Sequence, residues 1–251
     1  MLAGPAGPVE AVIYGGPRWR ESERLLIALH GGPHAAWRLS FEPLLQDLDA
    51  AGMAVVAPNQ RGSTGYGPAH RDAIHGAWGG PDLADLRHLA ESLSLYRRGR
   101  DLPAVRLFGV SYGAFLALLA AAAVPALWSH CVAVAPFCSA QSLYAEGADG
   151  VRSFLRRHGA LDVIDDALGP RDLERLAERI TAHVLIVHGS GDDTIPVSQP
   201  RRIVAALERA GRRSGTEFIY REIPGGHDPL QEGAADDAPR RQVIEFLAGP
   251  R

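Results

Sequence analysis

The chain has 251 residues, 46% of them hydrophobic and 22% charged, which suits a folded globular protein of one α/β domain. Its formal net charge of −3 offers no electrostatic footing for nucleic acid or an anionic membrane surface. All 26 basic residues are arginine, so lysine Schiff bases, a lysine general base and a P-loop lysine are excluded.

Apolar runs of strand length alternate with amphipathic runs of helix length, without internal repeats. The opening MLAGPAGPVE has neither the basic nor the apolar region of a signal peptide. Strands are expected over 9–14 (VEAVIY) and 24–30 (RLLIALH), then a helix over 41–52 that stops at Gly52. A strand over 53–60 precedes a helix over 80–96 with Pro81 in its first turn. Next come a strand over 104–110, a buried helix over 112–123 and a strand over 129–136. The alanine-leucine stretch of that helix is too short and too proline-broken to span a bilayer. Strands over 182–189 and 216–224 follow, with helices near 198–210 and 236–248. Several strands are apolar throughout, the pattern of a parallel sheet covered on both faces. Residues 137–180 break the alternation. This Arg- and Asp-rich insert is expected to form short helices over the sheet edge, as a long connection or as a lid. Cys131 and Cys138 are read as reduced structural thiols, which fits a cytoplasmic protein.

In open α/β sheets the chemistry sits beyond the carboxyl ends of the strands. Four segments lie there. Ser111, in G-x-S-x-G, directly follows the apolar LFGV and precedes a helix, the context of a nucleophile elbow. Gly109 and Gly113 leave room for a tight turn, and the helix start presents backbone N–H groups to developing negative charge. HGSGDDTIP follows another strand, and either Asp192 or Asp193 could orient an imidazole. His227 lies on a glycine-rich loop after the last strand, completing the order Ser, Asp, His. In HGGPH, Gly31 and Gly32 are the natural N–H donors, since Pro33 has none. One of them and the Tyr112 N–H could bracket an oxyanion. His30 and His34 raise the question of a metal. No neighbouring carboxylate or cysteine completes a ligand set, so neither a metal nor a cofactor is expected.

HGGPH, NQRGSTGYG, GAWGGPDLADL, GVSYG, HGSGDDTIPVSQ and GGHDP, in this order and spacing, resemble the catalytic domain of the prolyl oligopeptidase family. The likeness is nearest the acylaminoacyl-peptidase-like branch and runs from about residue 24 to the C-terminus. It implies an α/β-hydrolase fold, a mostly parallel twisted sheet with helices on both faces. Residues 1–251 would form one domain, with 137–180 as a lid or cap insert. It implies Ser111 as nucleophile, His227 as base and Asp192, the first of the pair, as the acid. It also implies an oxyanion site from the Tyr112 N–H and the HGGP turn, with Gly32 foremost and Gly31 beside it. Some relatives carry a tyrosine hydroxyl where His30 stands, so His30 or the backbone takes that part. Tyr66, in the RGSTGYG loop, is expected to face substrate, Ser63 to be structural, and Trp78 and Asp82 to anchor a helix.

Departures from the family pattern matter as much. About two dozen residues precede the match, so the family's N-terminal β-propeller is not expected within this sequence. APFCSAQSLY supplies Phe137, Leu143 and Tyr144 but no acid, so an apolar or acyl-binding pocket is expected. The resulting expectation is a serine hydrolase cleaving an amide or peptide bond through an acyl-enzyme, on a small molecule or short peptide. The alternatives are an esterase, thioesterase or deacylase on a small metabolite, or a non-catalytic binding protein. No nucleic-acid or membrane partner is expected, and the sequence carries no signal for oligomeric state.

Overall fold

The computed structural model describes residues 1–230 and 238–249. Its strands are β1 (Ala11–Tyr14), β2 (Leu25–Leu29), β3 (Ala54–Pro58), β4 (Val105–Val110), β5 (Trp128–Val134), β6 (His183–Gly189) and β7 (Phe218–Ile223). They form one sheet in the order β1-β3-β2-β4-β5-β6-β7. β1 pairs with β3 antiparallel, and the other pairings among the described strands are parallel.

The helices are α1 (Pro43–Ala50), α2 (Pro68–Arg71), α3 (Pro81–Arg98), α4 (Tyr112–Ala123), α5 (Ala140–Glu146), α6 (Asp149–Arg157), α7 (Leu173–Leu176), α8 (Ser198–Arg209) and α9 (Ala238–Ala248). They cover both faces of the sheet, which explains the unbroken apolar strands. In β2, Leu25, Ile27 and Leu29 join one core with α3, α4, α7 and α8, while Leu26 and Ala28 join the other with α1 and α9. α4 is buried from Tyr112 to Ala122, and its many alanines let it lie close against the sheet. The structure therefore has the expected α/β-hydrolase architecture.

Register places the functional loops. Leu29 pairs with Gly109, so the turn after β2 and the elbow after β4 emerge side by side. Gly189 pairs with Ile223, so the loops after β6 and β7 also emerge together. The insert forms α5, α6 and α7. Two differences from expectation have physical reasons. α5 and α6 stand over the carboxyl ends of the strands, because Leu143 and Phe154 share a cavity with Ser111 instead of packing along an edge strand. The short α2 was not expected, since four residues leave no periodic signal. Of the helix expected over 236–248, residues 236 and 237 lie outside the described residues. No described helix is long and apolar enough to cross a membrane.

Candidate active site

Ser111 sits at the turn between β4 and α4 with φ +56° and ψ −121°, a conformation rare for a residue with a side chain. Such strain costs about 1–3 kcal/mol and must be held by its surroundings. The glycines on either side explain how. A Cβ on Gly109 would stand 2.1 Å from the Gly113 carbonyl oxygen, and one on Gly113 would stand 2.5 Å from the carbonyls of Leu29 and His30. The Ser111 N–H donates to Val134 O at 2.8 Å, tying the elbow to β5. Ser111 occupies the N-cap of α4, yet its side chain makes no capping bond, so Oγ remains available.

Oγ lies 3.0 Å from His227 Nε2, and His227 Nδ1 lies 2.8 Å from Asp192 Oδ2. The carboxylate can only accept, so Nδ1 carries the proton and Nε2 accepts from the serine hydroxyl. The second carboxylate oxygen, Oδ1, accepts from the N–H groups of Thr194 at 2.9 Å and Ile195 at 2.8 Å. Its side chain is fully buried, whereas Asp193 is exposed and receives only the Thr194 hydroxyl at 3.3 Å. The carboxylate on His227 is thus Asp192, the one of the pair that the family resemblance implied. Burial opposes its charge, but the His227 bond and the two amides outweigh burial and lower its pKa. Burial likewise opposes charge on His227, and the Asp192 bond and carboxylate outweigh it, so that pKa is raised above 6.5.

Sequence reasoning passed over His188, in the same HGSGDD stretch. Its Nε2 donates to Ile195 O at 2.9 Å and lies 3.5 Å from Asp192 Oδ2, with the side chain fully buried. Burial lowers its pKa, so it stands neutral beneath the aspartate loop.

Gly31 passes close to Ser111, where an added Cβ would meet the Ser111 Cβ at 3.4 Å. Gly32, at φ +118°, lines the cavity beside Ser111. The N–H groups of Gly31, Gly32 and Tyr112 have no hydrogen-bond acceptor among the described residues. Tyr112 is itself anchored: its hydroxyl donates to buried Asp82 and accepts from the Gly79 N–H at 3.3 Å. Burial pushes Asp82 up to about 6, the tyrosine bond partly offsetting it.

The structure moves three expected substrate contacts elsewhere. His30 is buried, with Nδ1 donating to Gly31 O and Nε2 bonding Ser63 Oγ, each at 2.8 Å, so no ring nitrogen faces the cavity. Tyr66 bonds the Asn59 side chain at 2.6 Å and packs on His70. Tyr144 packs against the main core beneath the Arg156 guanidinium. Phe137 and Leu143 do line the cavity, and so does Trp78, which the sequence reading kept as a helix anchor. The cavity measures about 380 Å³, and α6 contributes Val151, Phe154 and Leu155 to its wall. Their i, i+3, i+4 spacing was the available signal. Among the described residues no aspartate, glutamate or arginine side chain lines it.

Sheet and site together belong to the α/β-hydrolase class of serine hydrolases. Residues 39–247 match the prolyl oligopeptidase family, and the chain belongs to that family. It is 25% identical to an acylamino-acid-releasing enzyme of Arabidopsis thaliana across 98% of this chain and 32% of the relative. It is 28% identical to dipeptidyl peptidase family member 6 of Caenorhabditis elegans across 74% of this chain and 26% of the relative. A puromycin-hydrolyzing peptidase of Mycobacterium tuberculosis shares the fold, with a TM-score of 0.80 and 21% identity over 98% of this chain and 38% of that one. The chain thus spans between about a quarter and two fifths of the length of these proteins.

Proposed function

We propose that the protein hydrolyses an amide or peptide bond at the carbonyl of a bulky apolar residue whose amino group is blocked or internal. The observation that carries this reading is the Ser111–His227–Asp192 series opening onto a cavity walled by Trp78, Phe137 and Phe154. Ser111 Oγ attacks the carbonyl carbon while His227 Nε2 takes its proton. Asp192 holds the ring tautomer and stabilises the imidazolium. The Gly32 and Tyr112 N–H groups receive the oxyanion, a contribution of roughly a hundredfold or more per donor. His227 then protonates the leaving amine, and water, activated by the same imidazole, releases the acid.

The substrate's amino side is argued from charge. An ammonium inside this lining would lose hydration without gaining a carboxylate. The relatives' names point both ways, to acylamino-acid release and to dipeptidyl peptidases, and the lining favours the first. A second reading, an esterase, thioesterase or deacylase, draws on the same apolar wall, which suits an acyl chain as well as a side chain. The two free, buried cysteines support a reducing, cytoplasmic location.

The test is a substrate panel run against wild type and Ser111→Ala. N-acetyl-phenylalanine anilide should be turned over with kcat/KM about tenfold or more above that of the free-amine anilide. Ester cleavage without anilide cleavage favours the second reading. Preference for the free amine contradicts the proposed amino-side selectivity.

A further inference from the structure

His34 follows the HGGP turn, and His158 closes the C-terminus of α6, 124 residues away. The sequence offered His34 no second ligand; the fold supplies one. His34 Nε2 and His158 Nδ1 lie 3.1 Å apart. His34 Nδ1 lies 2.9 Å from Gly62 O and must donate to it, because a carbonyl only accepts. Its Nε2 therefore carries a lone pair aimed at His158, which donates from Nδ1.

This arrangement matches what a metal ligand requires. A ligating histidine commonly donates its other ring N–H to a backbone carbonyl, which fixes the tautomer and the ring plane. Two imidazole nitrogens, each about 2.0–2.1 Å from one Zn²⁺, stand roughly 2.9–3.4 Å apart at tetrahedral or octahedral angles. The observed 3.1 Å falls within that span before any side chain moves. Coordination needs one change of tautomer. The His158 proton leaves Nδ1 and reappears on Nε2, which has no protein partner among the described residues, so neutral rings lose no net proton.

A third imidazole and a carboxylate stand within electrostatic range of His158. His75 Nε2 donates to Arg157 O at 3.2 Å, leaving its Nδ1 with a lone pair. Asp72 is also within electrostatic range of His158, but both its oxygens are taken by the Arg71 guanidinium, at 2.6 and 2.8 Å. A competing cluster, Cys138, Asp172 and Glu174, has donor atoms within 4.8 Å of one another. Its groups are already committed: Asp172 caps α7, Glu174 pairs with Arg202 and Arg209, and burial keeps the Cys138 thiol protonated.

We propose that His34 and His158 form a binding site for a late first-row divalent cation, Zn²⁺ in biological terms, joining the insert to the turn that carries Gly32. Water completes the coordination, since among the described residues no third His, Cys, Asp or Glu ligand atom lies within 4.8 Å of both ring nitrogens. The site is independent of the reading of Ser111, and its test does not measure hydrolysis.

Zn²⁺ alone is titrated calorimetrically into the full chain, into His34→Gln and His158→Ala, and into His227→Ala as a control for the imidazole at Ser111. Wild type and His227→Ala should show the same saturable site. Each of the other two variants should bind about tenfold or more weakly, with melting temperature near that of wild type. His158 is half-buried at a helix end, so its variant carries the test alone if His34→Gln fails to fold. Undiminished affinity in His158→Ala, loss of the site only in His227→Ala, or no saturable uptake by wild type would overturn the proposal.

Discussion

In the proposed mechanism His227 acts at Ser111 only while Nε2 is unprotonated, and Asp192 makes that state harder to reach by stabilising the imidazolium. Since the His227 pKa is raised above 6.5, kcat/KM should climb with pH through a titration above that value and then level. Asp192→Asn removes the stabilising charge, so the rising limb should move to lower pH while the plateau falls about 10³–10⁴-fold. A pH–rate profile of both proteins checks this, and an unmoved limb would contradict it. Beside Ser111, the Tyr112 hydroxyl is the side-chain donor to the fully buried Asp82. Tyr112→Phe should cost about 1–3 kcal/mol in urea unfolding. The sign with pH follows from Asp82, raised from 3.8 to about 6 in the fold. Its protonated form is favoured there, so stability falls as pH rises through about 6. The variant's deficit should therefore be larger above that pH than below it; a pH-independent deficit would contradict this role. Ser111, His227 and the Gly32 turn were legible because each follows a strand. From its residues alone Asp192 was legible only as one of two aspartates, the family resemblance pointing to the first; what separates it from Asp193 is a pair of backbone amides that no local pattern reveals. His188, His30 and Tyr66 were misjudged or missed for a related reason. Their partners lie in other loops, and residue type alone does not say which way a ring nitrogen or hydroxyl points.

At the scale of elements, the elbow depends on backbone proximity. Gly109→Ala places a methyl where Gly113 O already lies, and no flexible side chain can yield. That variant should fail to give a cooperative thermal transition by circular dichroism, and normal melting would show that the turn has more room than its geometry indicates. α6 makes a different kind of contribution. Phe154 stands 6.0 Å from Trp78 between ring centroids and closes one side of the cavity. Phe154→Ala should lower kcat/KM for aromatic acyl substrates about tenfold while leaving an activated acetate ester nearly unaffected. Equal losses on both would show that α6 supports the fold and not selectivity. The insert was expected as short helices over the sheet edge, as a connection or a lid; the residues with which α6 walls the cavity were not foreseen. Polarity of the Arg- and Asp-rich stretch outweighed three apolar residues, Val151, Phe154 and Leu155, that face inward on one stripe.

For the molecule as a whole, the unbroken apolar strands fixed the expectation of a two-faced parallel sheet, and the register then does what no motif can. Pairing of Leu29 with Gly109 and of Gly189 with Ile223 sets two pairs of loops at one end of the sheet, on either side of β5. Ser111 and His227 meet across 116 residues, and His34 and His158 across 124. The first meeting was legible through the order of Ser, Asp and His. The second was not, because it joins a turn to an insert through rings of no distinctive spacing. Ser111 as the nucleophile can be tested without knowing a substrate. The protein is incubated with a fluorophosphonate, and peptide mass mapping locates the adduct. One phosphonyl group per chain on the peptide containing Ser111, absent in Ser111→Ala and slow to form in His227→Ala, is the expected result. An adduct on another residue, or undiminished labelling of Ser111→Ala, would contradict it.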